Sequence, residues 1–123
     1  MKWTILLLIG GVIAFAFALK AAPKLSVPAA REHLRKGALL VDVRTVQEFN
    51  ARHLTNAVNI PLNELKDTLP GRVPDKSKTL LLHCRSGRRS GIAEQQLRAL
   101  GYTNAINIGS YEQADKIVNH GER

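Results

Sequence analysis

Apolar side chains follow two rhythms along this chain. Val27, Ala30 and Leu34 recur at helical spacing, with Ser26 ready as an N-cap and Gly37 as a stop, so a helix is predicted over residues 27–36. Ala38 to Val43 (ALLVDV) is instead a near-continuous apolar run, the mark of a strand covered on both faces of a parallel sheet. A short helix over Val46–Arg52 follows, then a second strand over Ala57–Ile60 ended by Pro61. Leu62, Leu65 and Leu69 mark one or two amphipathic turns, and Pro70 to Lys78 (PGRVPDKSK) reads as loop from its Pro, Gly and Asp. Thr79–His83 (TLLLH) is the third predicted strand. A helix over Ser90–Leu100 buries Ala93, Leu97 and Leu100 and stops at Gly101; strand Ala105–Ile108 and helix Tyr111–Asn119 complete the pattern.

Strands alternating with short helices predict an α/β domain: a mostly parallel central sheet flanked by helices in three layers. Ligands of such sheets bind beyond the carboxyl ends of the strands. Cys84, the only cysteine, immediately follows the third strand and therefore falls at that edge.

The first residues have a different pattern. Met1-Lys2 precedes an uncharged apolar stretch from Trp3 to Leu19, followed by Lys20 and Lys24. Its length lies between a signal-peptide core and a spanning helix, and Ala14-Phe15-Ala16 and Ala16-Phe17-Ala18 both offer small-x-small cleavage sites. Residues 1–23 are therefore expected to be a signal peptide or membrane anchor, and residues 24–123 the folded domain. Export to the periplasm is the preferred reading, with attachment to the inner membrane through residues 3–19 as the alternative. For an uncleaved anchor, the basic residues after the stretch would hold the domain on the cytoplasmic side.

Composition narrows the function. The net charge is +8, and residues 24–123 keep +6. This excess suits small anions, nucleic acid or an acidic surface. Aromatic residues make up only 5% of the chain, and no basic run is interleaved with stacking residues, so nucleic acid is not expected. One cysteine cannot form an intramolecular bridge, and the four histidines lack metal-ligand spacing. Neither metal nor cofactor is expected.

The chemistry concentrates in Cys84-Arg85-Ser86-Gly87-Arg88-Arg89-Ser90. A short glycine-containing loop running into a helix can turn its N–H groups inward as an anion nest. A cysteine opening that loop would have its thiolate favoured, with Arg85, Arg88 and Arg89 adding positive charge and Ser86 and Ser90 able to donate hydroxyl hydrogen bonds. Arg88 and Arg89 are equally suited to point inward. A buried structural cysteine is the bland alternative, and three arginines in the next five positions argue against it.

These residues resemble the rhodanese family, most closely its small exported single-domain members of the bacterial phage-shock type. The family's C-x-x-G-x-[RS] loop is matched by Cys84, Gly87 and Arg89, and its upstream D-V-R by Asp42-Val43-Arg44. Its E-F…G-H-I-P-G-A-x-N-I-P stretch appears as Glu48-Phe49…Arg52-His53-Leu54-Thr55-Asn56-Ala57-Val58-Asn59-Ile60-Pro61, and L-x-x-x-G-Y as Leu97 to Tyr102. The chain departs from the pattern at Arg52, Thr55 and Asn56, where the family has Gly, Pro and Gly. It departs again at Gly109-Ser110-Tyr111, where the family usually shows Gly-Gly and a nearby Trp.

The resemblance implies a rhodanese-like domain and a thiosulfate sulfurtransferase. Cys84 would carry sulfane sulfur as a persulfide, taken from a small anionic donor such as thiosulfate and passed to cyanide or a thiol. Residues 85–90 would bind the donor. Asp42 and Arg44 are read as structural support, with Arg44 expected to pair with Glu48. His53 is expected to be a hydrogen-bonded surface residue rather than a proton carrier, and His83 to point away from its neighbour Cys84. Two rivals are a non-catalytic rhodanese-like binding module and a cysteine-dependent phosphatase or arsenate reductase. The latter needs C-x5-R, and Ser90 occupies the position of that arginine.

Overall fold

The computed structural model describes residues 25–119. The apolar stretch of residues 3–19, with its cleavage and anchoring alternatives, lies outside them. The elements run α1 (Val27–Arg35), β1 (Leu39–Asp42), α2 (Val46–Ala51), β2 (Val58–Asn59), a 3-10 turn (Leu62–Glu64), α3 (Leu65–Arg72), β3 (Leu80–His83), α4 (Arg88–Ala99), β4 (Ala105–Gly109) and α5 (Tyr111–Asn119). All pairings are parallel, in the order β2-β1-β3-β4. The chain leaves β1 towards β2 on one side and returns to β3 on the other. The carboxyl ends of β1 and β3 are thus a topological switch point, where α/β sheets bind ligands.

The near-continuous apolar runs are explained by burial on both faces. Val41, Val43, Leu80 and Leu82 pack with Leu65 and Leu69 of α3 and with Ala93 and Leu97 of α4. Leu40 and Leu81, from alternate strand positions, pack with Ala30 of α1 and with Tyr111, Ala114 and Ile117 of α5. Cys84 belongs to the first cluster. His83 faces the second, its ring edge-on to Tyr111 at 5.9 Å, as strand alternation requires.

Most predicted elements stand within two residues of their expected limits, with two informative differences. Helix α3 continues through Pro70 and Gly71 to Arg72, where composition had predicted a loop. Pro70 is close to the helix end, so its missing N–H costs little, and Val73 N–H still closes the last turn on the Leu69 carbonyl (2.8 Å). Helix α4 begins at Arg88 rather than Ser90, because Gly87 serves as its N-cap in a left-handed conformation (φ 93°).

At the other end of α4, Gly101 N–H donates to the Arg98 carbonyl and Tyr102 N–H to the Leu97 carbonyl, a Schellman stop. That turn drives Tyr102 into the first core cluster, where its hydroxyl donates to the Val73 carbonyl at 2.6 Å. Tyr102→Phe should lower stability by about 1–2 kcal/mol, since it strands that carbonyl without changing the packing volume. Urea unfolding midpoints of the two proteins check this.

Candidate active site around Cys84

Strand β3 is followed at once by a fully buried cysteine, Cys84, and the loop that it opens closes on the sulfur. Gly87 N–H donates to Cys84 Sγ at 3.0 Å, and Ser90 Oγ lies 3.5 Å from the same atom. Burial is the largest single influence on the Cys84 thiol and opposes ionisation. The Ser90 hydroxyl and the backbone N–H groups of Ser90, Gly87 and Ser86 together outweigh it, so the thiol pKa falls below its ordinary value of 9.0. The loop therefore stabilises an anionic sulfur by oriented dipoles more than by neighbouring charge.

The loop owes its shape to close backbone approach. A Cβ on Gly87 would stand 3.3 Å from Gly109 Cα, and the left-handed φ of Gly87 disfavours any other residue independently. Ser86 and Ser110 form an isolated antiparallel bridge that holds the loop against the end of β4. Strand β4 bulges there: His83 pairs with Gly109 rather than Ile108. Asn107 braces this bulge. Its Oδ1 accepts from Gly109 N–H (2.9 Å) and from Ser90 Oγ (2.8 Å), while its Nδ2 donates to the Gly87 carbonyl (3.2 Å). Sequence reasoning missed Asn107; the signal was a carboxamide in the middle of an otherwise apolar strand.

The three loop arginines separate. Arg89 points inward and forms a bidentate pair with Glu48, Nη1 to Oε1 at 2.6 Å and Nη2 to Oε2 at 2.9 Å. Glu48 raises the Arg89 pKa most, with the charge of Cys84 adding to it. Arg85 and Arg88 are exposed. Glu48 also completes the capping box of α2 with Thr45, so one carboxylate ties the start of α2 to the first turn of α4. Pairing with Arg89, opposed by partial burial and aided by Thr45, holds its pKa at about 2.

The expected Arg44–Glu48 pair does not form. Arg44 instead turns back on Asp42: its Nε lies 3.0 Å from both carboxylate oxygens, and its Nη2 lies 2.7 Å from Oδ2. Arg44 Nη2 also donates to the Arg52 carbonyl at 2.7 Å, joining the end of β1 to the end of α2. A buried carboxylate two residues away, already accepting the Arg44 backbone N–H (2.9 Å), outcompetes a carboxylate engaged elsewhere.

His53 is exposed, with its ring stacked on Phe49 and Nδ1 2.9 Å from the Phe49 carbonyl, as a surface histidine. His83 is buried, and desolvation keeps it neutral more readily than usual despite Asp42 nearby. No cluster of metal-ligating side chains occurs among the described residues.

Three clefts include residues of the loop. One of about 410 Å³ is lined by Ser86, Gly87, Asn107 and Ser110, one of about 380 Å³ by Val43, Leu62, Arg89 and Gln96, and one of about 300 Å³ by Arg44, Arg85 and Tyr111. A further groove between α1 and α5 contains none of the loop residues.

Comparison with known proteins gives a consistent family. The family described as rhodanese-like domain matches residues 26–115. Thiosulfate sulfurtransferase PspE of Escherichia coli K12 is 41% identical over 69 residues, covering 56% of this chain and 66% of that protein. Human thiosulfate:glutathione sulfurtransferase is 37% identical over 106 residues, covering 75% of this chain and 92% of that protein. The chain thus spans just under two thirds of the first of these relatives and nearly all of the second. The solved structure of the human single-domain sulfurtransferase TSTD1 superposes with a TM-score of 0.66 at 35% identity, covering 76% of this chain and 96% of that one.

Two outcomes test this geometry. Ser90→Ala should move the Cys84 thiol pKa upward by removing its hydroxyl donor, seen as a shift to higher pH in the rate of alkylation by iodoacetamide. Glu48→Gln should be less stable than the wild type at neutral pH. Because the folded-state pKa of Glu48 is depressed, its contribution is present above the ordinary value of 4.5 and is lost as pH falls towards about 2. Urea midpoints of the two proteins should converge over that window.

Proposed function

The chain belongs to the rhodanese-like domain family, and on that footing we propose that it is a thiosulfate sulfurtransferase carrying sulfane sulfur as a persulfide on Cys84. The observation that carries this reading is the Gly87 N–H aimed at Cys84 Sγ from 3.0 Å, within a loop that lowers the thiol pKa despite burial. The names of the bacterial and human relatives support the same activity.

In the first half-reaction the Cys84 thiolate attacks the outer sulfur of thiosulfate. The new S–S bond forms as the old one breaks, giving Cys84–S–S⁻ and sulfite, with no net change in charge. Backbone donors and the Ser90 hydroxyl that hold the thiolate also suit the persulfide anion. Arg89 adds positive charge at the inner side of the loop, while Arg85 and Arg88, both exposed, are placed to attract the dianionic donor. In the second half-reaction cyanide or a thiolate takes the outer sulfur and the Cys84 thiolate is regenerated. Asp42 and Arg44 take no part in the transfer. They hold the end of β1 against α2 and so support the floor beneath the loop.

Phosphatase or arsenate reductase chemistry fits less well. Those reactions use an arginine where Ser90 stands, and Ser90 here is buried with its hydroxyl on Asn107. A module that merely binds partners would have no need of a depressed thiol pKa. The basic, apolar amino terminus supports export to the periplasm, or attachment to the inner membrane, as part of this proposal.

Incubation with thiosulfate should add one sulfur atom to the intact mass, and cyanide should remove it with release of thiocyanate. Cys84→Ser should abolish both. Phosphatase turnover without thiocyanate, or sulfur transfer that survives in Cys84→Ser, would refute the proposal.

A further inference from the structure

Ser90 is fully buried and has one hydroxyl proton, with four acceptors within 3.5 Å. Two of them are poorly placed to take it. The Gly87 carbonyl, 3.1 Å away, already accepts from Gly91 N–H (3.1 Å) and from Asn107 Nδ2 (3.2 Å). The Gly109 carbonyl, 3.4 Å away, is long for a bond between oxygens and already accepts Cys84 N–H (3.3 Å). That leaves Asn107 Oδ1 at 2.8 Å and Cys84 Sγ at 3.5 Å. A buried hydroxyl that donated to neither would be stranded, so its proton has two settings.

The Asn107 carboxamide cannot turn away from this choice. Gly109 N–H needs an oxygen opposite it and the Gly87 carbonyl needs an N–H, and both requirements put Oδ1 on the side of Ser90. Glu94 Oε2 on α4 accepts the Asn107 backbone N–H at 2.6 Å, so main chain and side chain are held from two directions. Charge reaches the cluster from α4 through that Glu94 contact and through Arg89, whose guanidinium acts on Cys84 while paired with Glu48.

We propose that Asn107 is a positioning residue for sulfur transfer, holding the Ser90 hydroxyl proton while the Cys84 sulfur is neutral and yielding it when that sulfur is an anion. This deepens, and rests on, the reading of Cys84 as the sulfur carrier. When Cys84 ionises, its proton goes to solvent. The Ser90 O–H bond stays intact and only rotates from oxygen to sulfur, so a charge-assisted hydrogen bond replaces a neutral one. Breaking the Oδ1 bond offsets part of that gain, and Asn107 thereby limits how much the anion receives from Ser90. A thiolate that receives less is more basic and a stronger nucleophile towards the outer sulfur of the donor, although a smaller fraction is ionised.

The test is the pH dependence of Cys84 alkylation by iodoacetamide, with and without the Ser90 hydroxyl. Asn107→Leu keeps the size but accepts no proton, and should place the alkylation midpoint roughly 0.5–1 pH unit below that of the wild type, the bias of a single hydrogen bond. Made in Ser90→Ala, the same substitution should move the midpoint little. Asn107→Asp, a stronger acceptor, should move it upward, and further with the hydroxyl present than absent; it serves as the second variant if Asn107→Leu fails to fold. The pH profile of kcat/KM for thiosulfate should shift in parallel. Equal shifts in the two backgrounds, an upward shift for Asn107→Leu, or a thiosulfate profile that stays in place would overturn the proposal and leave Asn107 as a brace of the β4 bulge. Wild-type enzyme that gains no sulfur from thiosulfate would instead refute the persulfide reading, while the alkylation comparison still decides where the Ser90 proton goes.

Discussion

An anionic sulfur held out of water is the constraint on which this structure turns. Burial by itself would raise the Cys84 pKa and leave a protonated, sluggish thiol. The chain offsets that penalty with N–H groups that converge on a single atom, which is only possible if the backbone reverses sharply after β3. Gly87 supplies the reversal through its left-handed φ and its near contact with Gly109. Starting α4 at once, at Arg88, then places the helix amino terminus behind the sulfur. Strand, turn and helix are thus set by one electrostatic requirement.

The charged residues around the loop form two separate pairs with different tasks. Asp42–Arg44 is almost wholly buried, where an ion pair adds little net stability but its geometry is narrowly defined. Its contribution is to fix the end of β1 relative to Arg52 and α2. Arg89–Glu48 is partly exposed and holds the first turn of α4 against α2. Because Glu48 also closes the capping box of α2 with Thr45, a single side chain links helix stability to the position of a loop arginine. Between these pairs lies a cleft lined by Arg52 and Arg85, which have no acidic partner among the described residues.

Asn107 and Tyr111 extend the same logic to the far side of the loop. The β4 bulge turns the chain so that Asn107 can reach Gly109, Ser90 and the Gly87 carbonyl together. Ser90 has one hydroxyl proton and both Asn107 Oδ1 and Cys84 Sγ within reach. The nearer Asn107 oxygen competes for that proton while the sulfur is neutral, and an ionised sulfur draws it more strongly. Tyr111, directly after the bulge, caps the opposite side and receives two guanidinium groups on its ring.

Much of this was legible from the order of residues alone. Apolar runs as short as ALLVDV and TLLLH, bounded by turn residues, read as strands buried on both faces, so the α/β sandwich and the location of Cys84 at a strand end followed from local pattern. The cysteine, the glycine and the dense arginines around them likewise announced an anion loop. Partner choice was not legible. Arg44 chose Asp42 over Glu48, Arg89 rather than Arg88 turned inward, and Asn107 reached the loop from a strand more than fifteen residues further on. Sequence determined which residues stand at the sheet edge, because periodicity and turn chemistry act over a few neighbours. Tertiary structure alone decided which of them meet, because hydrogen bonds and ion pairs between distant elements depend on how those elements pack.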